Sequence, residues 1–156
     1  MAVLLAGVGA LVAAFVGQFV FGLEPCILCL YQRIPYFAVA VVALAGVALP
    51  LSQRQRLRLL ALSGAIFAVG AGLALYHVGI EEHWWTSPIP GCVGTPVGTM
   101  TMDEFKQGLV APIRPCDRVD WRLSGLSLAG WNAVVSVLLA AACLWLARSL
   151  QQRRTG

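Results

Sequence analysis

Four apolar stretches, each long enough to cross a bilayer, constrain this chain more than anything else: Ala2–Leu23, then about 30–49, about 59–80 and about 126–147. A helix needs about 20 residues to span a hydrocarbon core of about 30 Å. The stretches are unbroken rather than alternating, so they read as helices and not as barrel strands. Composition agrees: 59% of the 156 residues are hydrophobic, 12% are charged, and mean hydropathy is +0.79. Soluble domains average about 45–50% apolar and about 25% charged. The expected fold class is therefore an all-α membrane protein, a four-transmembrane-helix bundle forming one domain over 1–156. Glycines inside the stretches, among them Gly7, Gly64 and Gly70, read as close-packing positions. No Lys or Arg precedes the first stretch, so it reads as a retained span rather than a cleaved signal peptide.

Four spans place both termini on one side. The connections are short, short and long: 24–29 (up to Arg33 where the second helix emerges), 50–58, and a 45-residue loop over 81–125. Arg54, Arg56, Arg58, Arg148, Arg153 and Arg154 crowd the side of the termini with no acid among them. The other side mixes Arg33, Lys106, Arg114, Arg118 and Arg122 with seven acids, so the two sides carry +6 and −2 of the total +4. Basic density near the spans marks the cytoplasmic face. The positive balance thus records topology, and no nucleic-acid partner is expected.

Cys26, Cys29, Cys92 and Cys116 all map to the outer side, while Cys143 lies inside the fourth span and reads as a small apolar residue. Cys26-Ile-Leu-Cys29 is a C-x-x-C at the membrane edge, with Pro25 expected at the first helical position. Both sulfurs would then lie in a first turn whose free N–H groups favour a thiolate. Arg33, four residues after Cys29, would share its face and balance a thiolate or an anionic reduced cofactor, or else act as an interface anchor. Pro35 is expected to bend the helix. Cys92 sits in a Pro- and Gly-rich stretch expected to be extended and exposed, where another protein's groove could grip it. Thr101–Glu104 reads as a capping box opening a short amphipathic segment through Leu109. On spacing alone, a structural Cys92–Cys116 disulfide and a reactive pair stay equally open. Four cysteines with His77 and His83 raise a zinc site, but only one C-x-x-C pair exists and no metal is expected. His77 ends the third span and reads equally as pocket lining or interface residue. Gln32 and Tyr31 are weaker pocket candidates. Asn132 and Gln18 read as packing hydrogen bonds, and Trp84, Trp85, Trp121 and Trp131 as an interfacial belt.

The stretch Glu24-Pro-Cys-Ile-Leu-Cys-Leu-Tyr-Gln-Arg33, together with Tyr76-His77, Cys92, Cys116-Asp117, Trp121 and Gly125-Leu-Ser-Leu-Ala-Gly-Trp-Asn132, resembles the DsbB family of bacterial inner-membrane disulfide bond formation proteins. The resemblance covers nearly the whole chain. It implies a four-helix bundle in the inner membrane, with cytoplasmic termini and periplasmic loops over 24–29 and 81–125. It implies a thiol oxidase that reoxidises a periplasmic thioredoxin-like, DsbA-type dithiol oxidase and passes two electrons to the membrane quinone pool, ubiquinone or menaquinone. Cys92 would form the mixed disulfide with the partner and Cys116 would be its loop mate. Cys26 and Cys29 would be the membrane-edge pair, with Cys29 contacting the quinone. Arg33 would support quinone and thiolate; His77, from its own place at the same outer edge, joins Cys29 and Arg33 as an expected quinone-binding residue. The rivals are a noncatalytic membrane protein with two structural disulfides, and an enzyme of the vitamin K epoxide reductase type, in which the C-x-x-C follows the loop pair instead of preceding it.

Overall fold

The computed structural model describes residues 1–89, 91–93, 102–103, 114–119 and 121–155. Four helices carry the fold: α1 (Ala2–Phe19), α2 (Ile27–Ala48), α3 (Gln53–Glu81) and α4 (Leu128–Thr155). Each is long and apolar enough to cross a membrane. The chain is a four-helix transmembrane bundle. Large apolar side chains such as Leu5, Val12, Phe37, Val41 and Leu138 point outward, which a soluble surface would not tolerate over such an extent. In the most apolar window of α1, only 6% of residues are buried within the chain, so this helix sits at the edge of the bundle with about half of its residues exposed.

The helices alternate in direction. Gln18 at the end of α1, Arg33 near the start of α2, His77 at the end of α3 and Asn132 at the start of α4 meet through hydrogen bonds at one end of the bundle. The Arg54–Arg58 stretch and the end of α4 lie at the other. The central core joins Tyr36, Val39, Phe67, Ala140 and Cys143. Cys143 is buried there among apolar neighbours, in the packing position its sequence context suggested. Small residues let backbones approach: a Cβ at Gly7 would stand 3.1 Å from the Tyr36 carbonyl oxygen, and one at Gly64 would stand 2.8 Å from Leu144.

Several element boundaries differ from the sequence reading. Helix α3 starts at Gln53 rather than near 59, because Ser52 and Gln55 form a reciprocal capping box. Helix α1 ends at Phe19 rather than at Leu23. Pro25 is not the first helical residue. Cys26 is the N-cap and Ile27 opens α2. The helix then runs as one element through Pro35. The fourth span begins at Leu128, because 122–127 form a small hairpin: β1 (Arg122–Leu123) pairs antiparallel with β2 (Leu126–Ser127). Its two-residue turn has Ser124 at φ 53° and Gly125 at φ 85°, the primed geometry that matches strand twist and favours glycine. Both partners of the expected capping box, Thr101 and Glu104, and the segment after it through Leu109 fall outside the described residues.

Candidate active site

Cys26 ends an extended stretch and caps α2, so its Sγ accepts the Cys29 backbone N–H at 3.2 Å. The same geometry brings the Cys29 Sγ to 2.8 Å from the Cys26 Sγ, close enough for a disulfide to form with little movement. His77 approaches from α3, with its Nε2 3.6 Å from the Cys26 Sγ. These contacts separate the two sulfurs electrically. The Cys29 thiol first, and then the His77 ring and the Cys29 backbone N–H, hold the Cys26 thiol well below its ordinary pKa against the opposing effect of burial. The sequence placed both sulfurs in the first turn as equals. The fold makes Cys26, which also accepts the Cys29 backbone N–H, the preferred thiolate.

Behind the pair lies a cavity of about 450 Å³, within the range of small-molecule sites. Small α1 residues (Ala10, Ala13, Ala14, Gly17) and Val135 of α4 form its apolar wall. Cys29, Gln18, Arg33, His77, Glu81 and Asn132 supply its polar atoms. Arg33 lines this cavity with Cys29, as its spacing suggested, but its partner is not a sulfur. Its guanidinium donates to Gln18 Oε1 at 2.8 Å and lies 4.9 Å from the centre of the Phe15 ring. Gln18 thus makes the inter-helix hydrogen bond expected of it, and does so at the cavity wall.

Two segments of the long loop, around Cys92 and Cys116, are fastened beside the pair. Cys92 and Cys116 are disulfide-bonded, with Cα atoms 4.5 Å apart, and the Cys116 N–H donates to the Cys92 carbonyl at 2.8 Å. The expectation of an exposed Cys92 fails: its exposure is 0% and that of Cys116 is 1%. The disulfide packs into one buried cluster with Cys26, Leu28 and Ile80. A turn bond from the Cys92 N–H to the Ile89 carbonyl folds this stretch inward. Between the loops, Arg114 pairs with Glu24 at 3.5 Å.

Three polar residues have a larger place here than their sequence context gave them. Glu81 counted only as a loop acid, yet it is buried, accepts a hydrogen bond from Ser127 Oγ and lies 3.8 Å from His77 Nε2. Its i, i+4 spacing from His77 was the signal available. Gln32 and Asn132 join a buried chain of hydrogen bonds that reaches His77. Cys26, Cys29 and His77 present three potential metal-ligand atoms within 4.8 Å of one another. A histidine bound through Nε2 normally donates from Nδ1. Here Gln32 offers an amide nitrogen to that atom, which suits thiol chemistry better than a metal.

The family model described as "Disulfide bond formation protein DsbB" matches residues 1–146. This chain belongs to the DsbB family. Among curated relatives carrying the name "Disulfide bond formation protein B", that of Xanthomonas axonopodis pv. citri is 34% identical over 146 residues, covering 90% of this chain and 82% of the relative. The protein of Xanthomonas oryzae pv. oryzae is 33% identical over 157 residues, covering 97% and 88%. That of Pseudoalteromonas translucida is 30% identical over 143 residues, covering 88% and 81%. No solved structure matches the chain. Membership of the DsbB family, together with the paired cysteines, makes this a redox-active membrane thiol oxidoreductase linked to quinone chemistry.

Proposed function

We propose that the protein oxidises a periplasmic DsbA-type thioredoxin-fold dithiol and delivers the two electrons to a membrane quinone, with its termini in the cytoplasm. One observation carries this reading. The loop disulfide Cys92–Cys116 packs directly on Cys26, and Cys26 and Cys29 stand at the mouth of an apolar-walled cavity.

In this scheme the partner's thiolate attacks Cys92, the Cys92–Cys116 bond breaks, and Cys116 leaves as a thiolate. Cys116 attacks Cys26 of an oxidised Cys26–Cys29 pair and frees the Cys29 thiolate. The partner's second thiol resolves the mixed disulfide and releases Cys92. Cys92 then attacks Cys116, which restores the loop disulfide and frees Cys26. The net change is one disulfide gained by the partner and one lost by the Cys26–Cys29 pair. Each exchange needs a thiolate and a reachable sulfur, and the buried cluster supplies proximity for the step between pairs.

The cavity fits a quinone: its wall is apolar for a ring and tail, Arg33 and Asn132 offer donors for two carbonyl oxygens, and His77 lines it beside the sulfurs. A bound quinone, ubiquinone or menaquinone, would supply a two-electron, two-proton acceptor. Cys29 lines the cavity and hands electrons on, Arg33 offsets negative charge, and the helices exclude water.

The deciding experiment follows a soluble quinone while the purified protein is given a reduced thioredoxin-fold dithiol. Quinone-dependent oxidation of the dithiol is the expected result. Two disulfides inert to the dithiol, with no quinone dependence, would establish the noncatalytic alternative.

A further inference from the structure

Five polar side chains from three helices join in a single chain of hydrogen bonds inside the bundle. Tyr36 OH donates to Asn132 Oδ1, and Ser136 Oγ lies 2.9 Å from the Tyr36 hydroxyl and 3.3 Å from the same Oδ1. Asn132 Nδ2 donates to Gln32 Oε1. Gln32 Nε2 lies 2.8 Å from His77 Nδ1. Gln32 and His77 are both buried, so each bond weighs heavily.

The chain has a direction. An amide nitrogen has only protons to offer and an amide oxygen only lone pairs. Fixing the contact at Asn132 Oδ1 therefore fixes each later contact. Asn132 must turn its nitrogen to Gln32, Gln32 must turn its oxygen to Asn132, and Gln32 must present its nitrogen to His77. His77 Nδ1 then accepts, and a neutral ring carries its proton on Nε2. That atom faces the Cys26 Sγ at 3.6 Å and Glu81 Oε1 at 3.8 Å.

We propose that Gln32, oriented by Asn132 and Tyr36, is a positioning residue that locks His77 as the Nε2–H tautomer, so that His77 serves Cys26 as a fixed hydrogen-bond donor and not as its base. The proposal deepens the redox reading, since its consequence for turnover depends on Cys26 being an exchanging sulfur. It also separates two roles that a histidine beside a cysteine commonly merges. Here the imidazole stabilises the thiolate without taking its proton.

The test needs no substrate. The full-length reduced protein is labelled with ¹⁵N-histidine in detergent micelles. His83→Asn leaves His77 as the sole histidine of the two in the chain, and asparagine tolerates the φ of 59° at that position. Two-bond nitrogen–proton correlation at neutral pH should show a protonated Nε2 and a bare Nδ1. A protonated Nδ1, a tautomeric average or an imidazolium would overturn the proposal. Gln32→Met keeps the length and apolar bulk but removes the amide donor. It should convert the single tautomer to an average and move the pH profile of Cys26 alkylation upward by about one pH unit, the tenfold change in proton affinity expected from losing a hydrogen bond to a charged group. An unchanged nitrogen spectrum in Gln32→Met would overturn the role of Gln32. Quinone turnover is measured on the same wild-type sample, so failure of the redox reading and failure of the tautomer assignment are read separately.

Discussion

At Cys26 the backbone is still extended (φ −73°, ψ 171°), and one residue later it is helical. That single position turns the sulfur toward the open N–H groups of α2 and gives the reduced site its asymmetry. Alkylation of reduced Cys26 should therefore continue at pH values where an ordinary thiol, with pKa of about 8.5, is fully protonated. The sign is definite: a lowered pKa preserves the thiolate as pH falls. Cys29→Ala removes the largest cause of the shift and should move the alkylation profile toward higher pH; an unmoved profile would contradict the assigned pairing. Cys29→Ser should abolish quinone reduction in a turnover assay while the Cys92–Cys116 disulfide still forms a mixed disulfide with the partner. Arg33→Ala should lower quinone affinity, read as a raised quinone KM; unchanged KM and kcat would leave Arg33 as an anchor held by Gln18 and Phe15. Residue types and local spacing were enough to single out the cysteines, Arg33 and His77. They could not reveal that Arg33 bonds Gln18 fifteen residues earlier, or that Asn132 reaches Gln32 across one hundred. Such pairs exist only once helices are packed.

Helix α1 is held mainly along one line of contact with α2, where Gly7 meets Tyr36 and Ala40. This helix also forms the small-residue wall of the cavity. Gly7→Val would press a side chain against backbone atoms 3.1 and 3.3 Å from the Cβ. The expected result is a destabilisation of about 1–3 kcal/mol, measured as a lower Tm in detergent, together with weaker quinone binding as α1 moves off α2. An unaltered Tm would show that α1 tolerates displacement. The four spans were legible because only helices or a closed barrel satisfy a backbone in lipid, and unbroken runs of about 20 apolar residues suit only helices. Their ends were less so. Apolar counting skipped Arg54, Arg56 and Arg58, whose long side chains can reach the interface while the backbone stays helical. The hairpin at 122–127 was hidden for a different reason: two residues per strand give no periodicity to detect.

At the scale of the molecule, the parts of the outer loop around Cys92 and Cys116 fold onto the membrane-edge pair instead of projecting from it. In the proposed cycle the partner must lift that cover before it reaches Cys92. A small dithiol should reduce Cys92–Cys116 much more slowly than a docking protein dithiol of similar potential, as rapid-mixing kinetics can show; equal rates would mean that burial is no barrier. Glu24 and Arg114 are partly exposed, and such a pair is worth about 0–1 kcal/mol. Glu24→Gln should thus speed reduction by small thiols only about fivefold at most. The Pro- and Gly-rich surroundings of Cys92 suggested exposure, because sequence shows how freely a loop can turn but not what it rests on.

The buried disulfide has a consequence for the economy of the compartment around it. A strong oxidant open to solvent would scramble every stray thiol that diffused past. Sealed between Leu28, Ile80 and Cys26, the oxidising bond of the proposed cycle would behave instead as an insulated terminal, with current flowing only when a protein of the right shape completed the circuit.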